Sequence, residues 1–166
     1  MGGMAVMGGT GVISIGIDPG AVNSGFVVYD SDSETVLDKE IAPNICIAQL
    51  IENHRDTAKR VIIEQLRGYG LRVGNDTFDS IWWSGRFAEA AVRLGLEVYM
   101  TPRKNIVKTI CDNGNAGDKG VRDALIDRFG PVGTKRSPGK LYGISSHMWA
   151  ALAACVAHAD GMEVKA

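Results

Sequence analysis

Apolar positions run along the chain in two periodicities, one of strands near the start and one of helices later. Val12, Ile13, Ile15 and Ile17 form a β-type run that stops at Asp18-Pro19-Gly20, where proline and glycine impose a turn just after the aspartate. Gly25-Phe26-Val27-Val28-Tyr29 reads as a second strand and Glu34 to Asp38 as a third, with Asp30 to Ser33 as turn formers between them. Ile45, Ala48, Leu50 and Ile51 suggest a helix, and Val61-Ile62-Ile63 is the all-apolar run of a strand covered on both faces, delivering Glu64 at its end. Past the glycines Gly68, Gly70 and Gly74, the cap candidates Asn75, Asp76 and Thr77 open a long helix ending near Gly95. That helix is apolar on two sides: Phe78, Ile81, Trp82, Gly85, Ala88 and Val92 make one stripe, and Trp83, Phe87, Ala90 and Leu94 the other. One side can cover a sheet, and the other needs a second cover. Glu97 to Met100 predicts a strand, Pro102 to Lys108 a short helix, and Val121, Leu125 and Phe129 another. Ser145 or Ser146 then caps an alanine-rich helix through His158.

A β-meander followed by alternating helices and strands gives an α/β fold with a mixed central sheet flanked by helices. The expected organisation is a flexible glycine-rich tail over 1–11, one domain over 12–160 and a short tail over 161–166. With 166 residues, 45% hydrophobic and 22% charged, the chain has material for one substantial core. The opening run lacks a signal peptide's basic and apolar regions, and no stretch is long enough to cross a bilayer, so no membrane partner is expected. Cys46, Cys111 and Cys155 are odd in number and widely spaced, which reads as small buried residues in a reducing compartment and points to the cytoplasm.

The chemistry sits at strand ends. If the strands ending in Asp18 and Glu64 are parallel neighbours, their carboxylates lie side by side. Two ionised carboxylates about 4 Å apart repel by about 4 kcal/mol at an effective dielectric near 20, so the pair needs a divalent cation or a shared proton. Oxygen donors favour Mg²⁺ or Mn²⁺. The ordered series Ser14-Ile15-Gly16-Ile17-Asp18-Pro19-Gly20, Gly25-Phe26, Ile63-Glu64-Gln65, and Val107-Lys108 with Lys119 eleven residues on resembles the RuvC-type Holliday-junction resolvases of the ribonuclease H-like superfamily, collinearly over roughly residues 13 to 158. The resemblance implies a ribonuclease H-like three-layer fold and a homodimeric endonuclease that nicks four-way DNA junctions with two Mg²⁺ or Mn²⁺ ions. It assigns Asp18, Glu64 and His147 as metal ligands, and Lys108 and Lys119 to the scissile phosphate.

One position departs from the family pattern. His147 fills the first ligand position of the last helix, but Ala150 stands where an aspartate is expected three residues on. Three readings compete: a site of Asp18, Glu64 and His147 with water; another acid such as Asp123 entering from elsewhere; or a junction-binding module without catalysis. Flaps and RNA–DNA hybrids remain alternative substrates, whereas an actin-like or sugar-kinase-like ATPase needs two such lobes. The net charge of −1 does not mark a polycation. Residues 101–140, however, hold nine of the 18 basic residues and only four of the 19 acidic ones. Candidate DNA contacts are Arg103, Lys104, Lys135, Arg136 and Lys140 in this segment, and Arg67, Tyr69 and Arg72 on the loop after Glu64, where an aromatic between arginines can stack on a base. Trp82, Trp83 and Phe87 are assigned to packing and to the dimer interface.

Overall fold

The structure, a computed structural model, describes residues 11–162, so nearly all of the expected N-terminal tail and residues 163–166 lie outside the described residues. Five strands, β1 (Ile13–Asp18), β2 (Asn23–Asp30), β3 (Thr35–Pro43), β4 (Arg60–Gln65) and β5 (Glu97–Pro102), form one sheet in the order β3-β2-β1-β4-β5. The β1–β2 and β2–β3 pairs are antiparallel, and β1–β4 and β4–β5 are parallel. Helices α1 (Asn44–Asn53) and α2 (Asn75–Arg93) cover one face; α3 (Arg103–Cys111), α4 (Asp118–Phe129) and α5 (Met148–Ala159) cover the other. This is the mixed α/β sheet between helical layers that the pattern predicts.

Strand alternation sorts the core in two. Ile15, Ile17, Val61 and Ile63 pack with Ile47, Ile51, Phe87 and Ala91 on the α1/α2 side, whereas Ile62, Val27 and Tyr29 pack with α5 on the other. Helix α5 lies very close to the sheet. A Cβ on Gly16 would stand 2.1 Å from the Ala151 carbonyl oxygen, and one on Gly25 would stand 2.4 Å from that of His147. Only glycine fits under the helix at these two points, so the glycines flanking the Asp18 turn serve packing as well as turn formation.

Several elements differ from expectation. The third strand extends to Pro43, because an edge strand open to solvent accommodates Asp38, Lys39 and Glu40 while pairing with β2 on either side of a bulge at Leu37. Neither Ser145 nor Ser146 caps α5; His147 takes the N-cap position, and the preceding turn is closed by backbone bonds. Gly74, ahead of the three cap candidates, is the N-cap of α2. The buried side of α2 is Ser80, Ser84, Phe87 and Ala91. Both serine hydroxyls bond carbonyls one turn back, 2.7 Å to Asp76 and 2.8 Å to Ser80, which lets a small polar face pack closely on the sheet. Cys46 is exposed and Cys155 buried, all three thiols being free. Among the described residues no helix is long and apolar enough to cross a membrane.

Candidate active site

Register builds the centre of the site. Ile17 pairs with Ile63 across the parallel β1–β4 ladder, so the next residues, Asp18 and Glu64, stand beside each other at the C-terminal ends of adjacent strands. Asp18 follows Gly16 by two and Glu64 follows Ile62 by two, which turns both carboxylates to the α5 face. The row continues with Thr101, the register partner of Glu64 on β5. Asp18 is 9% exposed, Glu64 3% and Thr101 1%.

Each group carries a different electrostatic load. Burial, then the neighbouring Asp18 charge, pushes the Glu64 carboxyl up to about 7, with Arg103 pulling the other way. Asp18 Oδ2 lies 2.6 Å from His147 Nδ1, and this bond raises the imidazole's proton affinity against its partial burial. The bond selects the tautomer with the proton on Nδ1, leaving Nε2 as the basic nitrogen of the neutral ring. The Asp18 turn is braced from beneath by buried Asn44. Its Nδ2 donates to the Gly20 carbonyl (2.8 Å), its Oδ1 accepts from Ser24 Oγ (2.6 Å), and Ser24 Oγ accepts from Gly20 N–H (3.2 Å).

Above the carboxylates opens a pocket of about 510 Å³ lined by Asp18, Glu64, Arg103, Asp118, Lys119, Arg122, His147, Trp149 and Ala150, among others. Arg103 Nη1 lies 3.4 Å from Glu64 Oε2, and its Nη2 bonds Asp118 Oδ1. Arg122 sits 5.3 Å from the centre of the Trp149 ring.

No family model matches the chain, and no curated protein matches it. Among solved structures it is similar to the Thermus thermophilus RuvC structure, with a TM-score of 0.68 and 21% identity, covering 91% of this chain and 98% of that one. It is similar also to T. thermophilus RuvC in complex with a Holliday junction substrate, with a TM-score of 0.67 and 21% identity, covering 89% and 93% of the two chains. The chain has the RuvC fold. The crystal structure of the yeast mitochondrial Holliday junction resolvase Ydc2 is a more distant likeness, with a TM-score of 0.50 and 14% identity over 88% of this chain and 77% of that one.

Within this RuvC fold the sequence-expected residues separate into groups. Asp18, Glu64, His147 and Lys119 line one pocket, while Lys108 is exposed on α3 outside its lining. Arg103, expected on DNA, is instead ion-paired inside the pocket. Arg67, Tyr69 and Lys104, read as parts of two surfaces, line a single groove of about 220 Å³; Arg72 is exposed on the same loop but outside the groove's lining. Lys135 and Arg136 occupy an exposed tight turn closed by the Gly133–Pro138 bridge. Lys140 reaches the Ser33 carbonyl at the far end of β2, a strand length of ~23 Å from the carboxylates, so it is not a contact around them. Phe87, expected at a dimer interface, is 1% exposed in the core beneath α2; Trp83 is half-buried against it, and Trp82 is open. Asp123 pairs with Lys119 outside the pocket lining, and the acid that does line it is Asp118. Sequence reasoning missed Asp118, whose signal was an acidic first residue after the helix-starting Gly117. It also missed Asn44, whose signal was a lone amide after Pro43.

As the side chains stand, no three His, Cys, Asp or Glu among the described residues converge as a metal cluster. The donor set nevertheless fits a hard divalent cation. Asp18 and Glu64 are buried like charges side by side, an arrangement that a bound divalent cation would relieve.

Proposed function

We propose that the chain is a structure-selective endodeoxyribonuclease that binds four-way DNA junctions as a homodimer and nicks them with the help of Mg²⁺ or Mn²⁺. The observation that carries this reading is the in-register Asp18–Glu64 pair beneath a pocket rimmed by cations, in a RuvC fold. Asp18 and Glu64 would hold the cation, which supplies a hydroxide nucleophile at neutral pH and offsets charge on the leaving oxygen. His147, oriented through Nδ1 by Asp18, holds or takes a proton at Nε2. Lys119 and Arg122 on the pocket wall offset the charge of the bound phosphate. Arg67, Tyr69 and Lys104 form a groove suited to an adjoining phosphate and an unstacked base. The exposed side of α2, with Phe78, Ile81, Trp82 and Val92, is the surface for the second subunit.

The test is cleavage of labelled four-way junction, linear duplex, flap and RNA–DNA hybrid in Mg²⁺, Mn²⁺ or chelator. Paired nicks in the junction, dependent on the metal and absent from duplex, are expected. Preference for flap or hybrid would reassign the substrate. Ala150 favours one second reading, because it offers the pocket a methyl group in place of a donor. A chain that binds the junction without cutting it in either metal is a binding module.

A further inference from the structure

The pocket above the carboxylates has two chemically different halves. Asp18, Glu64, His147 and Lys119 line a polar half, and Val121, Trp149 and Ala150 an apolar one. The polar half suits a phosphodiester and a cation, but it gives no reason for an aromatic ring in the wall. Trp149 is half-buried, packing on the core at α5 while also lining the pocket. Ala150 extends that wall with a methyl group, where the family resemblance leads one to expect a carboxylate. On α4, Arg122 holds its guanidinium 5.3 Å from the centre of the Trp149 ring. Its neighbour Lys119 is taken up by Asp123, whereas Arg122 is exposed and forms no ion pair among the described residues. The guanidinium is therefore free to move onto a phosphate and leave the ring face open.

We infer that the Trp149 wall is a base subsite: an unstacked nucleobase adjoining the scissile phosphate packs on the Trp149 ring while Arg122 takes that nucleotide's phosphate. This rests on the nuclease reading above. Phosphate and base are the charged and the flat apolar parts of one nucleotide, and the two halves of the pocket match them. A base within continuous duplex is stacked on both sides and does not reach the wall. At a branch point pairing is interrupted, and extrusion costs least where a base is already unpaired. The subsite thus favours branched over linear DNA without reading sequence, since every base has a π-face. It is separate from the groove at Arg67, Tyr69 and Lys104, because the two share no lining residue. Ala150 gains a role as well: a carboxylate in its place would set a charge beside the base, and a methyl group does not.

Binding of labelled four-way junctions to the full chain, followed by fluorescence anisotropy in chelator, tests this independently of cleavage. One junction is intact and the other is abasic at its branch-point nucleotides. Trp149→Leu keeps apolar bulk against the core and removes the aromatic face. It is expected to weaken binding of the intact junction at least about fivefold, the lower end of what losing one aromatic–base stack costs, and to bind the abasic junction as wild type does. Tryptophan emission gives a second measurement that does not need the leucine variant to fold. The intact junction is expected to quench wild type more than Trp149→Phe, since Trp82 and Trp83 lie on α2, across the sheet from the pocket. Equal losses on the two junctions, a loss below about fivefold on the intact one, or equal quenching of wild type and Trp149→Phe overturns the subsite. Wild-type protein that binds neither junction overturns the nuclease reading itself.

Discussion

The two faces of the sheet solve the same packing problem differently. On the α5 face, glycines at 16 and 25 bring a helix backbone to the strands, and the strand ends beyond them carry carboxylates into a pocket. On the α1/α2 face, side chains interdigitate in the ordinary way, and the outer side of α2 is left with Trp82 59% and Phe78 59% exposed. Tight backbone contact fixes chemistry in place on one face. On the other, the outer side of α2 carries an apolar surface free to meet another protein.

A pair of glycine substitutions would break this contrast most sharply. Gly16→Ala drives a methyl into the α5 backbone, which cannot swing aside as a flexible side chain would, so a loss of at least about 3 kcal/mol is expected from denaturant unfolding. Gly85→Ala on the open side of α2 meets nothing within 4 Å, and helix propensity predicts a gain of about 1 kcal/mol. Equal effects at the two positions would erase the distinction. Asp18→Asn is expected to reduce junction cleavage at least about 100-fold, since partners one shell further out already cost 10 to 100-fold, with the melting transition kept. Undiminished cutting would remove Asp18 from the chemistry. Ile81→Glu, which charges the exposed α2 stripe, is expected to turn a dimer into a folded monomer by light scattering; a surviving dimer would move the subunit contact elsewhere.

The smallest expected effect is a pH slope at the far end of α5. His158 is half-buried, with its Nδ1 3.2 Å from Arg60 Nη1, its ring 4.3 Å from that of Tyr99, and Glu97 nearby. Burial and then Arg60 hold its proton affinity below the usual histidine range. The unfolded chain therefore binds this proton more readily, and stability is lost as pH falls through about 6.5. As pH is lowered from 7.5 to 5.5, the wild-type urea midpoint should fall relative to that of His158→Gln, so any advantage of wild type at pH 7.5 shrinks. A constant difference would refute the assignment.

Much of this was legible in the chain because strand ends and turns are local. The run from Ile13 to Gly20 predicts where Asp18 stands, and Val61-Ile62-Ile63 does the same for Glu64. What the sequence concealed depends on register or on contacts distant in the chain. Which stripe of α2 faces inward is decided by two serines that satisfy themselves on their own helix, something hydrophobicity does not reveal. Arg103 reads as one more basic residue until β5 sets it beside Glu64. Lys140 looks like part of the same basic segment, yet the chain carries it to the other end of the sheet.

The bond between His147 and Asp18 joins residues 129 positions apart. During synthesis the strand bearing Asp18 emerges early, but its imidazole partner arrives only when α5 leaves the ribosome and docks over Gly16 and Gly25. Until then one face of the sheet is uncovered and the carboxylate has no histidine beside it. Completion of the core and assembly of the site are thus a single late event, so a partly made chain has neither.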